Sequence, residues 1–152
     1  MLIKEIHHRV KNNMQVITSL INLRLNDKNT DVLPQYSYYM TDLMNKIRTM
    51  ALIHEVVDES NDFSRIDIVK YTQRIAELAC QAYGIDITNV QYKFKDKALY
   101  VDLRKGISCG LIIHELITNA IKHGFDEKRD GDNLISIGIL KKKNKPIELV
   151  IE

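Results

Sequence analysis

Cysteine is scarce in this chain of 152 residues, which contains only Cys80 and Cys109. Both residues fall inside apolar patterns with helical spacing, and neither has the neighbours that a metal site requires. So few cysteines exclude a disulfide-stabilised scaffold. We therefore expect two buried free thiols in a reducing compartment.

Long apolar runs and an excess of one charge are also absent. No stretch approaches the roughly 18 consecutive apolar residues that a membrane span needs, so we expect no membrane segment in this chain and a cytoplasmic location. The 22 basic and 20 acidic residues leave a formal net charge of +2, too little to indicate nucleic-acid binding by itself. The remaining balance, 45% hydrophobic and 28% charged residues, is typical of a globular protein with a core.

The first part of the chain has the pattern of a helical hairpin. Apolar residues recur every three or four positions through residues 2–26 and again through residues 35–59, which predicts two amphipathic helices. The polar segment between them ends in Pro34 and predicts a short connection. Two long helices with a short link form an antiparallel pair, and their sustained apolar stripes favour a four-helix bundle made by two copies.

The rest of the chain alternates between helical and strand patterns. The division is therefore predicted as a helical hairpin over residues 1–60 and an α/β region over residues 61–152. Within the α/β region the pattern predicts a short strand at 63–68, a helix at 68–83, one or two strands within 90–102, a helix at 103–123, and strands at 134–140 and 147–151.

Two adjacent histidines occupy different sides of the first predicted helix. At about 100° per residue, His7 falls beside the apolar stripe and His8 falls nearly opposite it. A free imidazole is mostly neutral near pH 7 and can act as a nucleophile. Lys4, Arg9 and Lys11 lie nearby and could hold the oxygens of a transferred phosphate. The simpler alternative is a solvated polar face that happens to contain a histidine.

A second polar set lies on the predicted helix at 103–123. Glu115, Asn119 and Lys122 are spaced so that all three share one side of the helix. An amide oxygen suits Mg²⁺, a carboxylate can position water or a nucleophile, and an ammonium group can neutralise phosphate. The alternative is again the solvated side of an amphipathic helix. His114 and His123 alone do not indicate a zinc site, because no further ligands cluster with them.

Residues 4–15 (KEIHHRVKNNMQ) and 46–55 (KIRTMALIHE) resemble two segments of a dimerisation and phosphoacceptor family related to the HWE histidine kinases. The resemblance implies that His8 accepts a phosphoryl group. It departs from the larger histidine kinase class at Arg9, where that class has an acidic residue. Glu5, one helical turn earlier, is our hypothesis for the group that orients the His8 ring, on its spacing alone.

Residues 115–123 (ELITNAIKH) resemble the N-box of the GHKL ATPases, whose fold is an α/β sandwich with a mixed sheet. The resemblance implies that Asn119 binds the Mg²⁺ of ATP, that Glu115 is the site's acidic group, and that Lys122 and His123 lie at the nucleotide. ATP and Mg²⁺ are thus the cofactors implied for a complete protein. The family's G1 box and glycine-rich segments are not found in this sequence. We therefore expect the chain to be part of a longer kinase, to bind ATP weakly or not at all, and not to autophosphorylate alone.

The function expected from both resemblances is that of a two-component sensor histidine kinase. Such a kinase phosphorylates its own hairpin histidine from ATP and passes the phosphoryl group to an aspartate of a response regulator. An ATP-independent phosphotransfer protein with a degenerate ATPase-like region is the alternative, although a pure relay has no need of Asn119. A scaffold or nucleic-acid-binding bundle is the third possibility, which Glu5 and the lack of neighbouring aromatic residues disfavour.

Overall fold

The computed structural model of the chain describes residues 2–26, 34–60, 62–124, 134–141 and 146–152. Helix α1 (Leu2–Leu25) and helix α2 (Pro34–Ser60) pack side by side as an antiparallel hairpin. Side chains of residues 8 and 11 reach those of residues 58 and 55 respectively, which defines the antiparallel register. The predicted hairpin is therefore confirmed, and most of its predicted connection lies outside the described residues.

In its described residues, the α/β region contains two further α-helices and five strands. They follow one another as β1 (Arg65–Asp67), α3 (Ile68–Tyr83), a 3₁₀ turn (Ile87–Asn89), β2 (Val90–Phe94), β3 (Tyr100–Asp102), α4 (Leu103–Gly124), β4 (Ile135–Lys141) and β5 (Ile147–Ile151).

Local chemistry accounts for both ends of α3. The Asp67 side chain accepts a hydrogen bond from the backbone N–H of Val69 at 3.1 Å, which satisfies one of the free amides at the helix start. Gly84 ends the helix with φ of 67°, a left-handed conformation that glycine adopts without steric cost. The same Asp67 oxygen accepts from the backbone N–H of Leu99 at 3.1 Å, so it also fixes the chain just before β3.

The described strands form two sheets. Strands β1 and β3 pair antiparallel. In the other sheet β4 lies between β2, to which it is parallel, and β5, to which it is antiparallel. Strand β4 is buried from Ile135 through Ile139, as expected for a central strand covered on both faces. The three-stranded sheet is mixed, as the resemblance implied, and β1 and β3 make a separate pair.

One apolar core joins the end of the hairpin to the α/β region. Ile53 and Val57 of α2 are fully buried against residues of α3, α4 and the strands. Tyr71 of α3 is also fully buried, and its hydroxyl donates a hydrogen bond to the backbone oxygen of Thr49 in α2 at 2.7 Å. The core therefore continues across residue 60, and a boundary between two domains there stays a prediction.

The two cysteines differ in their surroundings. Both are free thiols, and Cys80 is buried in the core as predicted. Cys109 is only half-buried, which corrects the prediction, because it lines an apolar cavity of about 150 Å³ between α4 and the strands. Among the described residues, no helix combines the length and the apolar character needed to cross a membrane.

Candidate functional site

His8 lies in the second turn of α1, on the side of the hairpin where the end of α2 passes. Its side chain is 48% exposed, so the ring is accessible to solvent and to a reactant, as the sequence predicted. Its Nδ1 atom lies 3.6 Å from Oδ2 of Asp58. The side chain of His7 lies outside the described residues, so the predicted contrast between the two histidines stays a prediction.

Asp58, which the sequence reasoning missed, is the carboxylate nearest to the His8 ring among the ion pairs of the described residues. Its side chain is 18% exposed, and its Oδ1 atom is buried with no hydrogen-bond partner in the described part of the chain. The antiparallel register was the signal that could have found it. Once residue 11 is aligned with residue 55, residue 8 falls opposite residue 58.

Three charged residues near His8 on α1 have partners in the structure, namely Glu5, Arg9 and Lys11. Glu5 accepts a hydrogen bond from the Nε–H of Arg9 at 2.9 Å, and Nζ of Lys11 lies 3.0 Å from the Glu55 carboxylate. The proposed role of Glu5 in orienting His8 therefore stays a prediction, with Arg9 as the partner that the structure shows for Glu5. Arg9 uses only its Nε–H in its pair, so its terminal N–H groups remain as donors for phosphate oxygens.

The polar set on α4 is brought to one side of that helix, as the spacing predicted. Asn119 and His123 are exposed, whereas Glu115 and Lys122 are partly buried. The ammonium group of Lys122 lies 5.8 Å from the centre of the Tyr83 ring, within range of a cation–π interaction. The set thus offers one free amide group and one ammonium group at the surface of α4.

Glu115 forms an ion pair that links α4 to the hairpin. Its Oε1 atom lies 2.8 Å from Nζ of Lys46 in α2, and the same ammonium lies 2.8 Å from Asp42 one turn earlier. Hydrogen bonds to Asp42 and Glu115 raise the pKa of Lys46 well above its usual range, so this lysine stays protonated. Sequence reasoning did not find the contact, because it joins residues far apart in the chain.

Asn119 is the residue to which the sequence assigned the Mg²⁺ of ATP, and its side chain is exposed. The described residues contain no group of three or more His, Cys, Asp or Glu side chains that could hold a metal ion. A single exposed amide oxygen suits Mg²⁺ whose other ligands are phosphate oxygens and waters. The residues present are therefore compatible with Mg²⁺–ATP as a substrate.

His114, beside Glu115, points into the interior. It is 2% exposed, and its Nδ1 atom has no hydrogen-bond partner among the described residues. Burial lowers the pKa of His114, so the ring is neutral in the folded chain.

Comparison with known proteins identifies the family. Residues 5–83, just over half of the chain, match the family model HisKA_2, described as "Histidine kinase". The sensor histidine kinase PdtaS of Mycolicibacterium smegmatis is 26% identical over 128 residues, 84% of this chain and 25% of that protein. PdtaS of Mycobacterium tuberculosis (strain CDC 1551 / Oshkosh) is 28% identical over 124 residues, 82% of this chain and 24% of that protein.

The fold has a counterpart among solved structures. The histidine kinase domain of the Erythrobacter litoralis EL346 blue-light activated histidine kinase superposes with a TM-score of 0.60 at 19% identity. That superposition covers 97% of this chain and 65% of the other. The chain spans about a quarter of the length of the curated relatives that it matches. On the family match, the chain belongs to the histidine kinase family.

Proposed function

We propose that this chain carries the phosphoacceptor histidine and part of the ATP-binding region of a two-component sensor histidine kinase. His8 is the proposed acceptor, and the observation that carries the proposal is its exposed ring on a hairpin that matches the family. In the proposed reaction a ring nitrogen attacks the γ-phosphorus of ATP in line with the departing ADP. The phosphoryl group then passes to an aspartate of a response regulator.

The α4 set is the proposed contact with ATP, in the manner of a GHKL ATPase. Asn119 would supply an oxygen to the Mg²⁺ of the nucleotide, and Lys122 and His123 would lie against its phosphates. Glu115 is the proposed acidic group of the site. Glu115 is ion-paired with Lys46. Under this proposal the pair must separate before the Glu115 carboxylate can act on a nucleotide.

A dimer through the hairpin is the second part of the proposal. On α1, Ile17 and Leu20 are exposed on a flank roughly 150° around the helix from His8. Exposed apolar residues continue on the first half of α2, at Tyr36, Tyr39, Met40 and Leu43. A second copy packed on this flank would bury it and form a four-helix bundle. His8 would remain clear of that interface.

The distance along α2 bears on how the phosphoryl group reaches His8. Lys46, which holds Glu115, lies twelve residues before Asp58, which faces His8, and this is about 18 Å along a helix. In-line transfer requires reacting atoms about 3–3.5 Å apart. We therefore propose that α4 moves relative to the hairpin before transfer, or that it serves the histidine of the second copy.

Phosphoryl transfer from a complete kinase tests the proposed acceptor. The chain is incubated with labelled ATP and a full-length PdtaS-type kinase, as wild type, His8→Ala and His7→Ala. We expect label on the wild type and on the His7→Ala variant, and none on His8→Ala. Label on His8→Ala, or its loss only in His7→Ala, would contradict the assignment. Label from a phosphorylated receiver domain but never from a kinase would instead favour the ATP-independent relay.

A further inference from the structure

We propose that Asp58 is a positioning residue for the phosphoacceptor: it holds the Nδ1–H of His8 across the hairpin and leaves Nε2 as the nucleophile. This inference rests on the proposed function of His8 and deepens it. In the larger class an acidic residue follows the histidine, and here that position is Arg9. The structure supplies a carboxylate beside the ring from the other helix instead.

The acidic residues at the end of α2 have separate partners. Glu55 is paired with Lys11 of α1, and Glu59 is paired with Lys70 of α3 and lies 3.6 Å from Arg74. Asp58 faces only the His8 ring among the ion pairs of the described residues. The negative charge of Asp58 is therefore not offset by a neighbouring lysine or arginine, and it can act on the imidazole. A carboxylate paired with Lys or Arg would interact with the ring more weakly.

The location of Asp58 is unfavourable for the helix that carries it. It lies in the last turn of α2, where the partial negative charge of the helix end repels acidic side chains. Its Oδ1 atom is also buried without a hydrogen-bond partner in the described residues, which costs stability. Neither feature stabilises the fold. We therefore assign Asp58 a role in its contact with His8 and not in the stability of α2.

The geometry assigns the ring proton to Nδ1 and the lone pair to Nε2. Nδ1 faces Oδ2 of Asp58 at 3.6 Å, slightly longer than a hydrogen bond, as is common before a reactant is bound. A hydrogen on Nδ1 would point to the carboxylate, and the lone pair would then lie on Nε2. The other acidic and basic residues within one turn of His8 on α1 and of Asp58 on α2 are Lys4, Glu5, Arg9, Lys11, Glu55 and Glu59.

With the proton on Nδ1, phosphorylation of His8 proceeds through Nε2 and leaves a positive charge on the ring. The Nε2 lone pair forms the bond to the γ-phosphorus, the bond from that phosphorus to the bridging oxygen breaks, and ADP leaves with the electron pair. The ring becomes a phosphorylated imidazolium whose Nδ1–H lies against Asp58. The carboxylate stabilises that positive charge without taking the proton, as the orienting aspartate does in other histidine-based sites. The Nδ1 proton is afterwards lost to solvent.

Phosphoramidate provides a test that needs neither ATP nor a partner kinase. It transfers its phosphoryl group to imidazole as its own P–N bond breaks and ammonia leaves. The 152-residue chain is treated with potassium phosphoramidate as wild type, Asp58→Ala, Asp58→Asn and Asp58→Glu, with His8→Ala as the blank. Glu59→Gln is the matched control, because it removes a carboxylate from the same helical turn on the side that faces α3. Phosphohistidine at residue 8 is followed by mass spectrometry.

We expect phosphorylation of His8 to slow about 10- to 100-fold in Asp58→Ala and Asp58→Asn, at or below the lower end for acid–base assistance because the site is partly exposed. Asp58→Glu should recover part of the rate, and Glu59→Gln should react like the wild type. Imidazole ¹⁵N spectra at pH 8 supply a readout that a merely structural role would not change. The neutral His8 ring should carry its proton on Nδ1 in the wild type and shift toward Nε2 in Asp58→Ala.

The possible failures are distinguishable. Equal rates for wild type and Asp58→Ala at His8, with an unchanged tautomer, would overturn the role of Asp58 and leave the acceptor assignment intact. Equal modification of His8→Ala and the wild type, with no phosphate at residue 8, would overturn the acceptor assignment itself. Matching thermal unfolding of all variants shows that a slower rate reflects the missing carboxylate, and a rate loss that only follows unfolding would count against the proposal.

Discussion

Gly110 of α4 lies directly against the Tyr71 side chain of α3, and its replacement by alanine gives our most quantitative prediction. A Cβ atom at residue 110 would lie 2.4 Å from both Cε1 and the hydroxyl oxygen of Tyr71, whereas carbon contacts are normally 3.5–4.0 Å. Tyr71 is fully buried, so its ring has no open space to enter. The ring must therefore move by about 1 Å or more, and α3 and α4 must separate.

The magnitude combines three effects. Overpacking a buried contact costs about 1–3 kcal/mol. Displacing Tyr71 also breaks its 2.7 Å hydrogen bond to the oxygen of Thr49, and leaving a buried hydroxyl without a partner costs about 1–3 kcal/mol. Alanine recovers about 1 kcal/mol through its greater helix propensity. Together these effects should make Gly110→Ala lower the free energy of unfolding by about 1–5 kcal/mol.

Urea denaturation followed by circular dichroism measures this loss. Gly124→Ala is the control, because a Cβ atom at residue 124 has no neighbour within 4 Å, and we expect it to be neutral or slightly stabilising. Tyr71→Phe combined with Gly110→Ala should cost less than the sum of the two single changes, since both remove the same hydrogen bond. A Gly110→Ala protein as stable as the wild type would refute the packing argument.

Three further predictions concern charge and accessibility. Burial lowers the pKa of His114, so the unfolded chain binds a proton below about pH 6.5 that the folded chain does not. The free energy of unfolding should therefore fall between pH 6.5 and 5 by at most about 1.4 kcal/mol per pH unit, and His114→Gln should flatten this slope; an unchanged slope would contradict it. Lys46→Met should cost less than about 1 kcal/mol despite its two ion pairs, because Lys46 and Glu115 are partly exposed; a loss above about 2 kcal/mol in urea denaturation would contradict this. Burial raises the pKa of the Cys80 thiol, so iodoacetamide should alkylate the half-buried Cys109 first. Peptide mass spectrometry follows the labelling, and faster labelling of Cys80 would be inconsistent with the fold.

The helices could be predicted from the sequence, because their signals are local. The spacing of apolar residues located α1 and α2 within one or two residues of their observed ends, and Gly84 and Gly124 marked the ends of α3 and α4. Strand β5 was also predicted at its observed bounds. The segment from Val90 to Asp102 left one or two strands open, and the structure resolves it into β2 and β3.

The contacts that shape the candidate site could not be predicted in the same way. Asp58 reaches His8 only because the two helices pack in one particular register, and the apolar spacing along each helix does not specify that register. From the sequence, Glu115 could equally be a solvated residue of α4. Only the packing of α2 against α4 shows that Lys46 lies beside it. The burial of Ile53 and Val57 against α3 and α4 is likewise invisible to periodicity, since an apolar stripe does not specify which element covers it.

The most direct test of the central claim is the position of the phosphoryl group in a full-length kinase that contains this chain. After reaction with Mg²⁺–ATP, tandem mass spectrometry and ³¹P spectra at alkaline pH, where phosphohistidine survives, locate the modified residue and ring nitrogen. We predict a single phosphohistidine at His8, bonded through Nε2. A phosphoryl group on His7, or on a residue outside the hairpin, with His8 unmodified, would contradict the account.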